Sequence, residues 1–211
     1  MRIALLSLLG LGLAAVPAMG QAINYSNGPI NGTTDAWTIN SGFVVSDSFT
    51  ISPGAPPVDG IIFGAWVFPG DVLTSVQVSI TSSEFGGTTF FDQVVNFTQS
   101  GCSANQFGFN VCTESSSLSP GNFINLTAGT YWLNFANAIA GLGDDPVYWD
   151  ENSGPSSASE NSVGTIPSES FTILGFCTTG CNNNSVPEPS SIMLFGSGVL
   201  GLAGVLRPKL F

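Results

Sequence analysis

The chain has 211 residues, and its charges are distributed very unevenly. All three basic residues lie near the ends, at Arg2, Arg207 and Lys209; there is no histidine, and 13 of the 14 acidic residues lie within 21–186. This body therefore has no imidazole base for a Ser or Cys triad and no cationic clamp for phosphate. Its net charge, near −13, repels nucleic acid. Composition thus excludes nucleophilic hydrolases of the triad type, nucleotide-dependent enzymes and nucleic-acid binding.

The first 20 residues have the pattern of a secretory signal peptide. Arg2 precedes an apolar run over 3–16, which is too short to cross a bilayer comfortably. Small residues at Ala18 and Gly20 form a cleavage pattern, and a cut after Ala22 is an alternative. The sequence therefore predicts an N-terminal signal helix followed by an exported body.

Alternation of apolar and polar residues dominates the body. Residues 72–81 are the clearest case, because Val72, Val76, Val78 and Ile80 share one face of an extended chain. Similar patterns predict strands at 36–40, 43–51, 60–68, 88–98, 107–112, 123–126, 130–136, 147–150 and 170–174. Turns rich in Gly and Pro separate them, and no long amphipathic helical pattern lies between the ends. We therefore expect an all-β fold, an antiparallel β-sandwich of jelly-roll type.

Four cysteines lie in the body, at Cys102, Cys112, Cys177 and Cys181. In an exported chain an even number favours disulfides, and three connectivities are open. We expect the pairing that is local in sequence, Cys102 with Cys112 and Cys177 with Cys181. A four-thiolate zinc site is the alternative, although no C-x-x-C pair supports it.

Acidic side chains are densest at Asp144, Asp145, Asp150 and Glu151, beside the Gly-rich turn 141–146. Carboxylates next to main-chain carbonyls are ligands that calcium accepts. Their spacing does not match an EF-hand loop, so solvated loop residues are the simpler interpretation. These four residues are the candidate metal ligands, and calcium is the candidate cofactor.

Three aromatic residues, Trp132, Tyr148 and Trp149, are candidates for stacking on sugar rings. Alternation along 130–136 places Trp132 and Leu133 on opposite faces of the predicted strand, so Trp132 can be exposed when Leu133 is buried. Packing in the core is the alternative for each of the three rings.

A glycosidase needs two carboxylates about 5 to 10 Å apart across a cleft. Glu84 with Asp92, or Asp150 with Glu169, could supply such a pair, but nothing in their spacing distinguishes them from other acids. We therefore expect no catalytic residue in the body.

A proline-rich stem and an apolar segment follow the body. Pro187, Glu188 and Pro189 precede the Gly-rich apolar stretch 190–206, and two basic residues follow within 207–211. The stretch is at the lower length limit for a membrane span. Positive charge keeps the final residues cytoplasmic, so the body lies on the opposite side of the membrane. An ordinary C-terminal tail anchor is the alternative interpretation.

This tail resembles the PEP-CTERM sorting signal, in which a Pro-Glu-Pro motif, a hydrophobic helix and a basic terminus follow one another. The resemblance covers residues 186–211, and the usual run of arginines is reduced here to Arg207 and Lys209. It implies that the chain is a substrate of exosortase, a membrane peptidase that processes the tail. The processed protein is then released or re-anchored at the surface of bacteria that make exopolysaccharide.

The predicted organisation is a signal peptide at 1–20, an exported domain at 21–181, a stem at 182–189, a transmembrane helix at 190–206 and a cytoplasmic tail at 207–211. The predicted function is that of a non-catalytic cell-surface or extracellular-matrix protein, associated with the envelope or with exopolysaccharide. Its predicted partners are an exosortase-type peptidase and the membrane. The alternatives are a carbohydrate-binding module, with or without calcium, and a glycosidase.

Overall fold

The computed structural model describes residues 21–118, 123–141 and 145–177. Their secondary structure consists of fourteen β-strands. The strands are β1 Gln21–Ser26, β2 Ala36–Thr38, β3 Val44–Ile51, β4 Val58–Val67, β5 Leu73–Ser83, β6 Gly86–Asn96, β7 Thr98–Ala104, β8 Asn110–Ser117, β9 Gly129–Ala140, β10 Tyr148–Asn152, β11 Ala158–Glu160, β12 Gly164–Ile166, β13 Ser168–Glu169 and β14 Phe171–Phe176. The prediction of an all-β fold is confirmed. The two predicted terminal helices lie outside these ranges, within which no helix is long and apolar enough to cross a membrane.

The strands form two antiparallel sheets. The first sheet has eight strands: its main path is β1-β14-β4-β10-β13, with β2 beside β10 and the β7–β8 hairpin beside β4. The second sheet has six strands in the order β12-β11-β3-β9-β5-β6. Because the chain passes repeatedly from one sheet to the other, most neighbouring strands are distant in sequence.

Alternation along β5 and β9 determines which side chains face the space between the sheets. Val76, Val78 and Ile80 of β5 are fully buried, as the pattern predicts. Val72, which the pattern placed on the same face, precedes β5 and is 53% exposed. On β9, Leu133 and its inward neighbours are buried as well. Along β5 and β9 the second sheet therefore presents an apolar face to the first.

Aromatic rings fill the middle of the interior. We call Phe63, Phe135, Trp149 and Phe171 the aromatic centre. The ring centroid of Phe135 lies 4.7 Å from that of Phe63 and 4.3 Å from that of Trp149, and the Trp149 and Phe171 centroids are 5.6 Å apart. Each of the four side chains is at most 2% exposed. Such tilted and edge-on contacts are the favoured arrangements of aromatic pairs.

A disulfide closes the β7–β8 hairpin. Cys102 and Cys112 are bonded, ten residues apart in sequence, which confirms the predicted pair. Cys181 lies outside the described residues, so the pairing of Cys177 with it stays a prediction. The disulfide holds the base of a short loop at the end of this hairpin.

The predicted strand at 123–126 contributes only one β-bridge, between Ile124 and Val58. Five described strands have no predicted counterpart, namely β1, β7, β11, β12 and β13. The last three have at most three residues each, which is too short for alternation to be recognised.

Candidate functional site

A group of polar side chains lies inside the sandwich. We call Asn27, Asp47, Ser156, Ser168 and Glu169 the polar interior cluster. The amide nitrogen of Asn27 donates to Asp47 Oδ2 at 3.1 Å, to Ser168 Oγ at 2.6 Å and to the Glu169 carbonyl oxygen at 2.6 Å. The Glu169 backbone N–H also donates to Asp47 Oδ2, at 2.7 Å. These bonds join three segments of the chain that are far apart in sequence.

Burial makes the carboxyl groups of this cluster weaker acids. Desolvation raises the pKa of Asp47 to about 6, although hydrogen bonds from Ser156 and from backbone N–H groups lower it in part. Desolvation also raises the pKa of Glu169 well above its ordinary value, and the charges of Asp47 and Glu151 raise it further. Neither carboxyl oxygen of Glu169 has a hydrogen-bond partner. Burial without a hydrogen-bond donor or a cation therefore favours the neutral form of Glu169.

Glu114 is a second buried acid, on the inward face of β8. It pairs with Phe63 across the strands and is 0% exposed. Neither of its carboxyl oxygens has a hydrogen-bond partner, and desolvation raises its pKa to about 8. This acid is also protonated at neutral pH, because the body has no cation to compensate its charge.

The candidate metal ligands are not brought together in the described residues. Asp150 and Glu151 are adjacent on β10, so their side chains point to opposite faces of the first sheet. Asp144 lies outside the described residues. Asp145 lies beside Asp71, whose pKa is raised by desolvation and by the Asp145 carboxyl. Residues 21–118, 123–141 and 145–177 contain no group of three or more His, Cys, Asp or Glu side chains able to hold a metal ion.

The carboxylate of Asp150 instead accepts three hydrogen bonds from the protein. It accepts the backbone N–H of Asn31 at 2.8 Å, the N–H of Gly32 at 2.9 Å and the indole N–H of Trp66 at 2.7 Å. Glu151 accepts the indole N–H of Trp37 at 3.0 Å. The Asn31 and Gly32 bonds attach the segment after β1 to the first sheet, and the two indole bonds link strands within that sheet. Both acids therefore have a structural use.

The three candidate stacking residues do not form one surface. Trp149 is 0% exposed within the aromatic centre, so its ring cannot contact a ligand, and core packing is its actual role. Trp132 is half-buried on the outer face of the second sheet. Tyr148 is half-buried on the outer face of the first sheet, where it pairs with Trp66.

Tyr148 belongs to an aromatic patch that the sequence analysis missed. We call Trp66, Phe68, Phe107, Phe109 and Tyr148 the aromatic patch. Phe107 stacks on Trp66, with centroids 5.4 Å apart and planes at 20°, and Phe109 lies 5.0 Å from Phe68 and 5.2 Å from Tyr148. Phe107 is 49% exposed and Phe68 38%. The sequence pattern that could have predicted this patch is a pair of aromatic residues separated by one residue, which occurs at Trp66 and Phe68 and again at Phe107 and Phe109.

Hydrogen bonds fix the loop that carries Phe107. Asn105 Oδ1 accepts the backbone N–H groups of Phe107 and Phe109, each at 3.0 Å. The Asn105 N–H donates to the Phe109 carbonyl oxygen at 2.9 Å, and Gly108 adopts a φ of 89°, which favours glycine. The loop is therefore held in one conformation from both ends.

A groove of about 590 Å³ lies on the same outer face, beyond the other end of β8. Its polar lining is uncharged and comprises Gln21, Asn96, Thr98, Ser115, Ser116 and Ser117. Ile62 and Leu174 are its apolar lining residues. Hydroxyl and amide groups both donate and accept hydrogen bonds, which suits a ligand rich in hydroxyl groups.

The two candidate glycosidase pairs do not line this groove. Asp150 and Glu169 are both 0% exposed. Glu84 lies in the β5–β6 turn, and Asp92 is six residues beyond the start of β6, which corresponds to about 20 Å along a strand. That distance exceeds the separation that glycoside hydrolysis uses.

The Pro-Glu-Pro motif at Pro187, Glu188 and Pro189 lies outside the described residues. A comparison of the sequence with protein families includes this segment. Residues 185–207 match the PEP-CTERM protein-sorting motif. The resemblance found in the tail is thus confirmed for this segment. A PEP-CTERM motif implies an exported precursor, anchored in the membrane and processed by exosortase at the cell surface. No curated protein matches the chain.

The PEP-CTERM segment and the described body are consistent with each other. The motif implies that the body is exported, and the Cys102–Cys112 disulfide is of the kind that persists in oxidising compartments. The last strand of the body ends at Phe176, nine residues before the matched segment begins. The sorting information therefore lies after the described sheets.

Proposed function

We propose that the protein is a non-catalytic component of the cell surface or extracellular matrix, delivered there by its PEP-CTERM tail and associated with the envelope or with exopolysaccharide. The observation that carries this proposal is the match at 185–207, which begins nine residues after the last strand of an all-β body. In this proposal residues 1–20 are the signal peptide, 190–206 hold the precursor in the membrane, and an exosortase-type peptidase processes the stem.

The positions of the acids support a non-catalytic role. Asp47, Glu114, Asp150 and Glu169 are each 0% exposed, so no substrate reaches them in the folded state. The groove on the first sheet has a neutral lining among the described residues. Binding rather than hydrolysis is the chemistry that such a surface favours. The repeated passage of the chain between two antiparallel sheets supports a jelly-roll connectivity.

The experiment is mass spectrometry of the C-terminus in fractionated cells. We expect surface-associated or released protein that ends near Pro187, and an unprocessed membrane precursor when Pro187, Glu188 and Pro189 are all replaced by alanine. Replacing Asn182, Asn183 and Asn184 by alanine is the matched control, which leaves processing unchanged. Full-length protein with an intact Phe211 at its final location would contradict the proposal.

A carbohydrate-binding role is the second candidate function. The exposed aromatic patch, with Phe107 stacked on Trp66, favours it.

A further inference from the structure

The aromatic patch holds an apolar ring, that of Phe107, in a solvent-exposed position. Phe107 is 49% exposed, yet its loop is fixed by Asn105 and by the Cys102–Cys112 disulfide at its base. Ordering an exposed ring before binding lowers the entropy cost of binding a partner. Contiguous exposed apolar side chains on a soluble protein commonly mark a binding surface.

A strip of hydroxyl groups leads from the groove towards the aromatic patch. Thr98 pairs with Ser115 and Ser100 with Thr113, so these four side chains share one face of the β7–β8 hairpin. The register places Trp66 opposite Val111 on the same face, four residues from Ser115. That spacing corresponds to about 13 Å along the strand. A ligand that touches both regions is therefore a chain rather than a single ring.

The charge of the body determines which chain polymer fits. The body carries 13 acidic residues, most of them ionised, and no Lys, Arg or His, so its field repels polyanions. The hydroxyl strip itself has no charged side chain: Glu114, the acid in β8, points inward to Phe63. A matching ligand is uncharged, offers apolar ring faces to Phe107 and offers hydroxyl groups to the strip. Neutral polysaccharides have this combination.

We propose that the outer face of the first sheet binds an uncharged polysaccharide, which stacks on Phe107 and its aromatic neighbours and runs along Thr113, Ser100, Thr98 and Ser115 into the groove. This inference rests on the proposed surface function and names its ligand class. The patch and the groove are the two ends of one site. The Trp66 ring stacks against one face of the Phe107 ring, and the indole N–H of Trp66 donates a hydrogen bond to Asp150.

The test uses the protein purified from the exporting cells and hexasaccharides of glucose, mannose and xylose, with alginate as a polyanionic probe. We expect calorimetry to detect binding of at least one neutral hexasaccharide and none of alginate. Phe107→Ala is expected to weaken that binding about tenfold, since it removes one aromatic contact. Replacing both Thr98 and Ser115 by alanine is expected to weaken it several-fold, because two hydroxyl groups are lost.

The matched control is Phe43→Ala, which removes a phenyl ring of similar exposure, 39%, next to β3 of the second sheet. This control is expected to leave hexasaccharide binding unchanged. The proposal is overturned if no neutral hexasaccharide binds, if alginate binds more tightly, or if Phe107→Ala and Phe43→Ala have equal effects. Cross-linking from position 107 to a protein instead of a glycan also overturns it.

Failure of this inference is distinguishable from failure of the surface function. Normal processing near Pro187 without hexasaccharide binding overturns the ligand assignment alone. Unprocessed protein that still binds a hexasaccharide through Phe107 overturns the sorting proposal alone.

Discussion

The aromatic centre and the polar interior cluster occupy the same space between the two sheets, but they are stabilised in different ways. In the aromatic centre, Phe135 and Trp149 lose contact with water and gain close ring contacts. In the polar interior cluster, Asp47 and Glu169 lose their hydration without meeting any cation. Burial of the rings in the aromatic centre is favourable by itself. Burial of the carboxyl groups in the polar interior cluster is tolerated only when hydrogen bonds or protonation compensate the lost hydration.

This difference couples the stability of the fold to pH. A chain with basic residues compensates a buried carboxylate with a salt bridge, but residues 21–186 contain none. Protonation is the remaining way to neutralise Glu114 and Glu169, and their pKa values are raised accordingly. Three predictions test this contrast between a pH-independent and a pH-dependent part of the interior.

The largest effect is expected from Phe135→Ala in the aromatic centre. Loss of a fully buried phenyl ring leaves a cavity among Phe63, Trp149 and their neighbours, at a cost of about 3–5 kcal/mol in the free energy of unfolding. Chemical denaturation at pH 5 and pH 8 measures this loss, which is expected to be equal at both. Phe43→Ala is the control and costs less than about 1 kcal/mol, since Phe43 is 39% exposed. A loss that changes strongly with pH would contradict the assignment.

A smaller effect is expected from Asn27→Ala in the polar interior cluster. The substitution removes the amide that bonds to Asp47, Ser168 and Glu169, and leaves buried acceptors without a donor. We expect a loss of about 2–3 kcal/mol in the free energy of unfolding. Asn161→Ala is the control, because Asn161 is exposed. Equal losses for the two variants would show that the cluster does not stabilise the fold.

The third prediction concerns pH and Glu114→Gln. The folded-state pKa of Glu114 is about 8, above the ordinary value of 4.5, so between these values the folded state binds more protons than the unfolded state. The free energy of unfolding therefore falls as pH rises from about 4.5 to about 8. Asp47, with a pKa of about 6 against 3.8, acts in the same direction over a lower window. Wild-type thermal midpoints are expected to fall across this range.

Glu114→Gln is expected to remove part of that fall and to be more stable than wild type at pH 8, by roughly 2 kcal/mol. Glu84→Gln is the matched control for net charge, because Glu84 is exposed in the β5–β6 turn. If both substitutions change the pH profile equally, general charge repulsion rather than burial of Glu114 is responsible. A midpoint that rises with pH would refute the prediction for the whole interior.

Local pattern predicted the inward faces well, because alternation is a property of each strand alone. Val76, Val78 and Ile80 are buried as expected, and the Cys102–Cys112 pair follows from its short separation within a hairpin. β7 was missed because Cys102 and Ala104 are the only apolar residues of its sequence, Thr-Gln-Ser-Gly-Cys-Ser-Ala, which is too few for alternation to be recognised. This strand is defined by its partner β8 rather than by its own composition.

The candidate sites depended on long-range pairing, which the sequence does not reveal. Asp47 interrupts the apolar pattern of β3, but its contacts with Asn27 and Glu169 come from segments 20 and 122 residues away. Trp149 looked available for stacking beside Tyr148, although the two side chains point to opposite sides of β10. Phe107 became a candidate only when the hairpin placed it on Trp66.

The pairing of β1 with β14 has a consequence for export. Gln21 lies opposite Phe176, so the first and last described strands are hydrogen-bonded neighbours. In an exported chain that crosses the membrane with its N-terminus first, β1 stays unpaired until β14 has followed. The first sheet of such a chain is therefore completed only after the whole described body has crossed the membrane.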